Sequence, residues 1–277
     1  MLTRALAARL LRRDLGGGWR VANGAGSHGN TRHAASGDLS VVVKLGSPAA
    51  ALRRLAELDV TPPVLAWGEH DGTPYTIQRM ATGVQPDRAW FAAHLDEYAG
   101  LVRRYQRDER LAELLHADPT RDRLDVAAAT SMFDHLPPRP GSPMWTSEVA
   151  AAVAVWKQRA ADLAPVPPLP VHADPWWGNY VVAGDQLHLV DWDEIDLSDP
   201  WRDGGIQLWW HVPAPRWAEF VAGQGAVLDA ALEARILWWA SFKMLRNGHW
   251  VDNDGDAALA VLNARAFVRA MAGLRPA

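Results

Sequence analysis

Hydrophobic positions along this chain repeat with two periods, and the change of period divides it. Residues Leu2 to Leu15 carry apolar side chains at helical spacing and stop at Gly16-Gly17-Gly18. Shorter runs follow: Trp19 to Ala22, Thr31 to Ala35 before the turn Ser36-Gly37-Asp38, and the β-branched Leu39 to Leu45. Pro48 to Leu58 predicts a short helix with Leu52, Leu55 and Leu58 on one face. Two further strands lie at Val64 to Gly68 and Tyr75 to Met80, around the turn Asp71-Gly72-Thr73-Pro74. From Asp87 to Leu163 the period is helical, broken at Asp118-Pro119 and between Pro137 and Pro143. Pro165 to Pro170 is a stiff, non-helical lead. Then Tyr180-Val181-Val182, the turn Gly184-Asp185 and Leu187 to Val190 read as a hairpin. Helical segments close the chain at Ile206–Trp210, Trp217–Val221, Leu228–Leu245 and Ala257–Met271. Strands first and helices after predict an α+β chain, with a small antiparallel lobe over residues 1–81 and a larger, mainly helical lobe over 82–277.

Composition narrows the function classes. A net charge of −4 over 277 residues, with no basic patch interleaved with aromatics, argues against nucleic acid as a partner. The absence of cysteine excludes disulfides, thiolate catalysis and cysteine-bound metal. No apolar run approaches the roughly 18 residues of a membrane span. The basic, amphipathic start (Met1 to Gly18) lacks a serine-rich tail or a cleavage-like site, so it reads as a surface helix of a cytoplasmic protein, monomeric or homodimeric. The 15 tryptophans point to stacking or packing.

The candidate chemistry concentrates between Val171 and Asp203. His172, Asp174, Asn179 and Asp191 follow one another as His-x-Asp-x4-Asn, with Asp191 twelve residues beyond Asn179. The hairpin puts Asn179 at its entrance and Asp191 at its exit. Phosphoryl transfer needs a residue that orients the acceptor hydroxyl, hard oxygen ligands for metal, and positive groups over the phosphates. Asp174 suits the first role, because a loose transition state asks for proton removal only late. Asn179 and Asp191 suit Mg²⁺. His172 reads as a brace of the same catalytic loop. Gly24, Gly26 and Gly29 form G-x-G-x-x-G between two strands, where backbone N–H groups can cover phosphates, and Lys44 ends the following strand. Each residue also has a plain reading: a turn at Asp174-Pro175, a hairpin entry at Asn179, a strand end at Asp191, a helix cap at Asp199-Pro200. A hydrolytic metal site of His172, Asp174, His188 and Asp191 is a further alternative. The run Asp252 to Asp256 fails as a calcium loop, since Ala257 stands where its glycine is required, and reads as a surface turn.

These passages resemble the aminoglycoside phosphotransferase family, small-molecule kinases of the protein-kinase-like fold. The likeness rests on His172-Ala173-Asp174-Pro175-Trp176-Trp177-Gly178-Asn179 with Val190-Asp191-Trp192, on Asp199-Pro200-Trp201-Arg202-Asp203, and on Pro62 to Gly68 with Arg79 to Gly83. The resemblance implies a bilobal kinase-like fold that binds ATP or GTP with Mg²⁺. It makes Asp174 the catalytic base, Asn179 and Asp191 the metal ligands, and Lys44 the α/β-phosphate contact. Gly24, Gly26, Ser27 and Gly29 would cover the phosphates, Arg79, Met80 and Ala81 would hold the base, and Asp199 and Asp203 would be structural. The family's helix glutamate, partner of the strand lysine, would fall near Pro48 or Ala49, where there is no acid. Lys44 then either pairs through a shifted helix with Glu57, the carboxylate of that helix, or lacks the partner, and the second alternative is what keeps a pseudokinase open.

The acceptor implied is a hydroxylated small molecule, first of all an antibiotic phosphorylated in resistance or self-protection. A sugar, amino alcohol or choline-like metabolite is the alternative, and a nucleotide-binding pseudokinase without turnover is the rival class. Asp193, Glu194 and Asp196 would line the acceptor side, and Trp176 and Trp177 would stack on the acceptor. Most of the other tryptophans belong to the core.

Overall fold

The computed structural model describes residues 1–22, 29–120, 123–134 and 141–276. In chain order these form α1 (Arg4–Leu15), β1 (Arg20–Val21), β2 (Thr31–Ser36), β3 (Leu39–Leu45), α2 (Ala49–Glu57), β4 (Val64–His70) and β5 (Thr73–Arg79). Helices α3 (Arg88–Ala93), α4 (Leu95–Gln106), α5 (Glu109–Ala117), α6 (Val126–Ser131) and α7 (Ser147–Ala160) follow. Next come β6 (Leu169–Val171), β7 (Tyr180–Ala183), β8 (Gln186–Leu189) and β9 (Asp196–Ser198), then α8 (Trp201–Ile206), α9 (Trp217–Gly223), α10 (Ala230–Asn253) and α11 (Ala257–Met271). Among the described residues no helix is long and apolar enough to cross a membrane. The chain forms two compact units. The first gathers Met1–Gln85, Asp108–Asp118 and Gly178–Ile195; the second gathers Pro86–Arg107, Pro119–Trp177 and Asp196–Ala277.

The first unit is built on an antiparallel sheet of order β1-β2-β3-β5-β4. Alternation along β3 buries Val41, Val43 and Leu45 on one face and turns Val42 and Lys44 to the other. The buried row packs with Ile77, Tyr75 and Ala34 against Leu2, Ala7, Leu10 and Leu11. Helix α1, expected as a surface helix, therefore closes the core of this sheet with one face. Full burial of each such side chain stabilises by roughly 1.5–3 kcal/mol. Helix α2 meets α5 through a bidentate pair in which Arg54 donates to both carboxylate oxygens of Asp108 at 2.9 and 2.6 Å. That pairing raises the Arg54 pKa and lowers that of Asp108. The hairpin β7–β8 is bound into the same unit where Leu189 N–H donates to Val60 O and where Val84 and Val182 exchange backbone hydrogen bonds. The chain can make that last crossing because residue 83 is glycine; a Cβ there would stand 2.0 Å from Val182 O.

The second unit is helical around the short ladder β6–β9, in which Val171 pairs with Asp196. Helix α10 is its axis. Trp238 and Trp239 are buried on it, and Trp238 stacks on Trp156 at 4.7 Å with each indole N–H bonded to the other's backbone carbonyl. Seven of the 15 tryptophans are buried in the core, and the expectation that most would be is met only in part. Helix α8 lies close against α10 at Gly205, where an added Cβ would meet Ala240 N at 2.5 Å. Past Ile206 the chain widens into a π-helical turn, Gln207–His211. This turn carries His211 into the core, stacked on Phe91 at 4.7 Å and joined to the Tyr98 hydroxyl by a 2.7 Å hydrogen bond. Burial pushes the His211 pKa down to about 3.

Two outcomes follow from this packing. Gly205→Ala forces backbone against backbone, so its overpacking penalty of about 1–3 kcal/mol outweighs the gain in helix propensity; a lower urea midpoint at unchanged m-value is the expected reading. His211 stays neutral when folded, whereas an unfolded histidine takes a proton near pH 6.5. Its contribution is therefore whole above pH 6.5 and is lost as pH falls through about 3, at roughly 1.4 kcal/mol per pH unit between them. In His211→Phe, urea unfolding measured from pH 8 to pH 4 is expected to show a lower plateau, because Tyr98 loses its partner, and a shallower acid slope.

Candidate functional site

Two groups of predicted residues are brought together, one in each unit. In the first unit a cavity of about 440 Å³ is lined by Lys44, Arg79, Met80, Ala81, Asn179, Asp191 and Asp193, along with Val42, Gln78 and Trp192. Sequence reasoning had drawn these from four separate stretches. Lys44 arrives on the outward face of β3, opposite Thr31 on β2 and Thr76 on β5. Arg79 ends β5, and the N–H groups of Arg79 and Met80 are taken up by Pro63 O and Ser40 O. Asn179 and Asp191 flank the hairpin as expected, tied by Val190 N–H donating to Asn179 O at 2.8 Å. Asp191 itself is left-handed, with φ of 65°. Such a backbone is uncommon outside glycine, though aspartate tolerates it better than most, and it clusters at functional sites.

Lys44 has a partner, and it is not Glu57. Its ammonium donates to Asp191 Oδ1 and lies 3.1 Å from Asp193 Oδ1. Glu57 instead accepts from Arg54 at 2.9 Å. The reason is position: Glu57 sits at the last turn of α2 beside Arg54, one turn earlier on the same face. Asp193, expected at the acceptor side, is thus part of the lysine's ion pair. Gly29 is described, with φ of 66°, but does not line the cavity. Gly24, Gly26 and Ser27 lie outside the described residues.

In the second unit the catalytic-loop candidates hang from one carboxylate. Asp203, wholly buried at the first turn of α8, accepts from His172 N–H at 2.7 Å, from Ala173 N–H at 2.8 Å and from the Tyr105 hydroxyl at 2.7 Å. Ala173 is left-handed, with φ of 70°. For alanine that conformation costs about 1–2 kcal/mol, which the charged acceptor beneath its N–H offsets. The bend presents Asp174, whose N–H donates to His172 Nδ1 at 3.2 Å. The expected brace at His172 is therefore a buried side chain that acts on the loop from within. The carboxylate of Asp174 is half-exposed, and Lys243 of α10 donates to its Oδ1 at 2.6 Å.

The remaining candidates separate. Asp199 caps α8 through Trp201 N–H at 2.9 Å and pairs with buried Arg235. Asp196, expected at the acceptor side, is buried, accepts from Leu124 N–H at 3.1 Å and faces Arg202 at 3.4 Å. Glu194 stands in the short turn Trp192–Glu194 and does not line the Lys44 cavity. Trp176 is half-buried, edge-on to Trp210 at 5.5 Å; Trp177 packs on His211 at 5.1 Å. Among the described residues no cluster of three or more His, Asp or Glu side chains could hold a metal ion, so the hydrolytic alternative with His188 finds no support. A larger cavity, about 770 Å³, opens in the second unit beside Pro165 to Pro168. It is mainly apolar and shares only Asp199 with the predicted residues. Volume is a poorer guide here than chemistry, which gathers around Lys44. Lys243 and Arg235 were missed; the available signal was a basic residue inside the apolar run of α10.

Solved structures with the same fold include the GDP complex of aminoglycoside 2′-phosphotransferase-IIIa, at a TM-score of 0.70 and 12% identity, covering 98% of this chain and 99% of that one. A choline/ethanolamine kinase family protein from Mesorhizobium loti aligns at 0.64 and 18%, covering 92% of each chain. Choline kinase LicA from Streptococcus pneumoniae aligns at 0.65 and 15%, covering 96% of this chain and 99% of that one. The fold is the protein-kinase-like fold of these enzymes. The sequence model of the phosphotransferase enzyme family, APH, matches residues 7–239, and the chain belongs to that family.

Proposed function

We propose that this phosphotransferase is a kinase that moves the γ-phosphoryl group of ATP or GTP to a hydroxyl of a small molecule. The observation that carries the reading is the convergence of Lys44, Asn179 and Asp191 on one cavity, together with the presentation of Asp174 by the Asp203-held loop. Lys44 contacts the α- and β-phosphates, exchanging its carboxylate partners for phosphate oxygens. Since the Arg79 and Met80 N–H groups are engaged in the sheet, the nucleotide base meets Ala81 N–H and the carbonyls of this segment. Asp174 accepts the hydrogen bond of the acceptor hydroxyl. As the new O–P bond forms, the bond from the γ-phosphorus to the bridging oxygen breaks. The hydroxyl proton passes to Asp174, and the nucleoside diphosphate leaves.

The donor set fits magnesium: the side-chain amide oxygen of Asn179 and the carboxylate of Asp191, on residues at the two ends of the hairpin that line one cavity, suit an ion that keeps several waters. When bound, Mg²⁺ neutralises charge on the β- and γ-phosphates. Asn179 and Asp191 are the residues that would hold it. The acidic partners of Lys44, Asp191 and Asp193, support the kinase reading over a pseudokinase without turnover.

For the acceptor, a cationic antibiotic drawn by Asp193, Glu194 and Asp196 loses two of its acids, to Lys44 and to Arg202. The half-buried edge-to-face pair of Trp176, two residues from Asp174 in sequence, and Trp210 favours the second reading, an amino-alcohol or quaternary-ammonium acceptor held by cation–π contact. Relatives of the fold act on both classes by name, aminoglycosides and choline.

A transfer screen with labelled ATP and GTP against aminoglycosides, sugars, amino alcohols and choline tests the proposal. Asp174→Ala is expected to lower transfer by about 10²–10⁴-fold while ADP affinity, by calorimetry, stays within twofold. Lys44→Met is expected to weaken nucleotide binding by about 10- to 100-fold, the worth of one charged hydrogen bond. Turnover that survives Asp174→Ala would overturn the mechanism.

A further inference from the structure

Among the described residues of the second unit, three ion pairs have a cation less than 10% exposed, and one of them differs from the others. Arg235–Asp199 has side chains 9% and 5% exposed, and Arg202–Asp196 has 7% and 7%. These pairs are closed on both sides, as a structural pair is. In Lys243–Asp174 the lysine is 6% exposed and the carboxylate 36%. A buried ammonium is costly without a charged partner, and the partner here is held half open to solvent. The pair therefore buries its cation and presents its anion.

The cation is also fixed. Lys243 is itself buried on α10 and its ammonium is hydrogen-bonded, so little conformational freedom remains to its stem. Helix α8, which carries Asp203, is pressed on α10 at Gly205. The same two helices thus set both ends of the loop: Asp203 holds the backbone of His172 and Ala173, and Lys243 holds one oxygen of Asp174. With Oδ1 engaged by the ammonium, the carboxylate cannot spin about its last bond without losing a charged hydrogen bond.

We propose that Lys243 is a positioning residue for phosphoryl transfer, pinning Asp174 Oδ1 so that Oδ2 is offered to the acceptor hydroxyl. This rests on the reading of Asp174 as the base. Misplacing a reacting group by about 1 Å costs on the order of 10²-fold in rate, which sets the size of the effect.

The test uses the full chain with Mg²⁺ and ATP or GTP, measuring single-turnover release of inorganic phosphate with water as acceptor, and transfer to any acceptor found by the screen. Lys243→Met is expected to lower the rate about 10- to 100-fold, with ADP affinity within threefold of the parent. Lys243→Arg is expected to restore part of the rate. In an Asp174→Asn background, Lys243→Met is expected to cause no further loss, since the residue acts through Asp174. A parental rate in Lys243→Met overturns the proposal, as does a full additional loss in the Asp174→Asn background. A rate loss that tracks a fall in melting temperature and is not eased by Lys243→Arg assigns the lysine to packing and also overturns it. If Asp174→Asn alone keeps the parental rate, the reading of Asp174 as base fails, and that result is distinct from any obtained at position 243.

Discussion

The carboxylate of Asp203 is the constraint on which the rest of the site depends. It is buried on α8 and accepts from two consecutive backbone N–H groups and a tyrosine hydroxyl. Consecutive N–H groups can point at one acceptor only if the chain between them turns, and the left-handed Ala173 is that turn. Without an anion beneath it, the bend would leave two buried N–H groups unsatisfied, at about 1–3 kcal/mol each. The strained residue and the buried charge each make the other tolerable. What emerges from the bend is Asp174, and its direction is inherited from α8 rather than from its own neighbours in sequence.

Much of this was legible from residues alone because it rests on local chemistry. The hairpin Tyr180–Leu189 follows from a period of two around Gly184-Asp185, and Lys44 is placed by a β-branched strand whose alternate residues are apolar. The structural role of Asp203 comes from the family resemblance of Asp199-Pro200-Trp201-Arg202-Asp203 and not from local chemistry. What escaped depends on contacts between distant segments. Lys44 pairs with Asp191 and Asp193, 147 and 149 positions further along the chain, and nothing in the sequence around α2 announces that exchange. Glu57 was the reasonable candidate by proximity, yet Arg54 on the same helix takes it. Asp196 looked like one acid in an exposed run, Asp193-Glu194-Ile195-Asp196. The β6–β9 ladder instead draws it inward to Arg202 and Leu124.

The stretch that carries most of the chemistry, Val171 to Asp203, is continuous in sequence but divided in structure. The chain enters the first unit at Gly178 and returns to the second after Ile195. Asp174 accordingly belongs with Asp203 and Lys243, while Asn179 and Asp191 belong with Lys44. One short segment thereby couples two differently built scaffolds, a sheet that positions cavity-lining polar groups and a helix pair that positions a carboxylate.

The two lysines illustrate how burial sorts charged pairs by purpose. Lys44 faces carboxylates that are about half exposed, and such pairs are worth little net stability because water competes for both partners. A weak pair is easily exchanged, so a phosphate can take Lys44 from Asp191 at small expense, and Asp191 is then released for other ligands. Lys243 is buried, and an ammonium so placed exchanges its carboxylate for water less readily. Its hold on Asp174 is correspondingly durable. The Lys44 side chain is 15% exposed and that of Lys243 6%, so the second is the more closely held. Exposure, more than distance, separates the two lysines' roles.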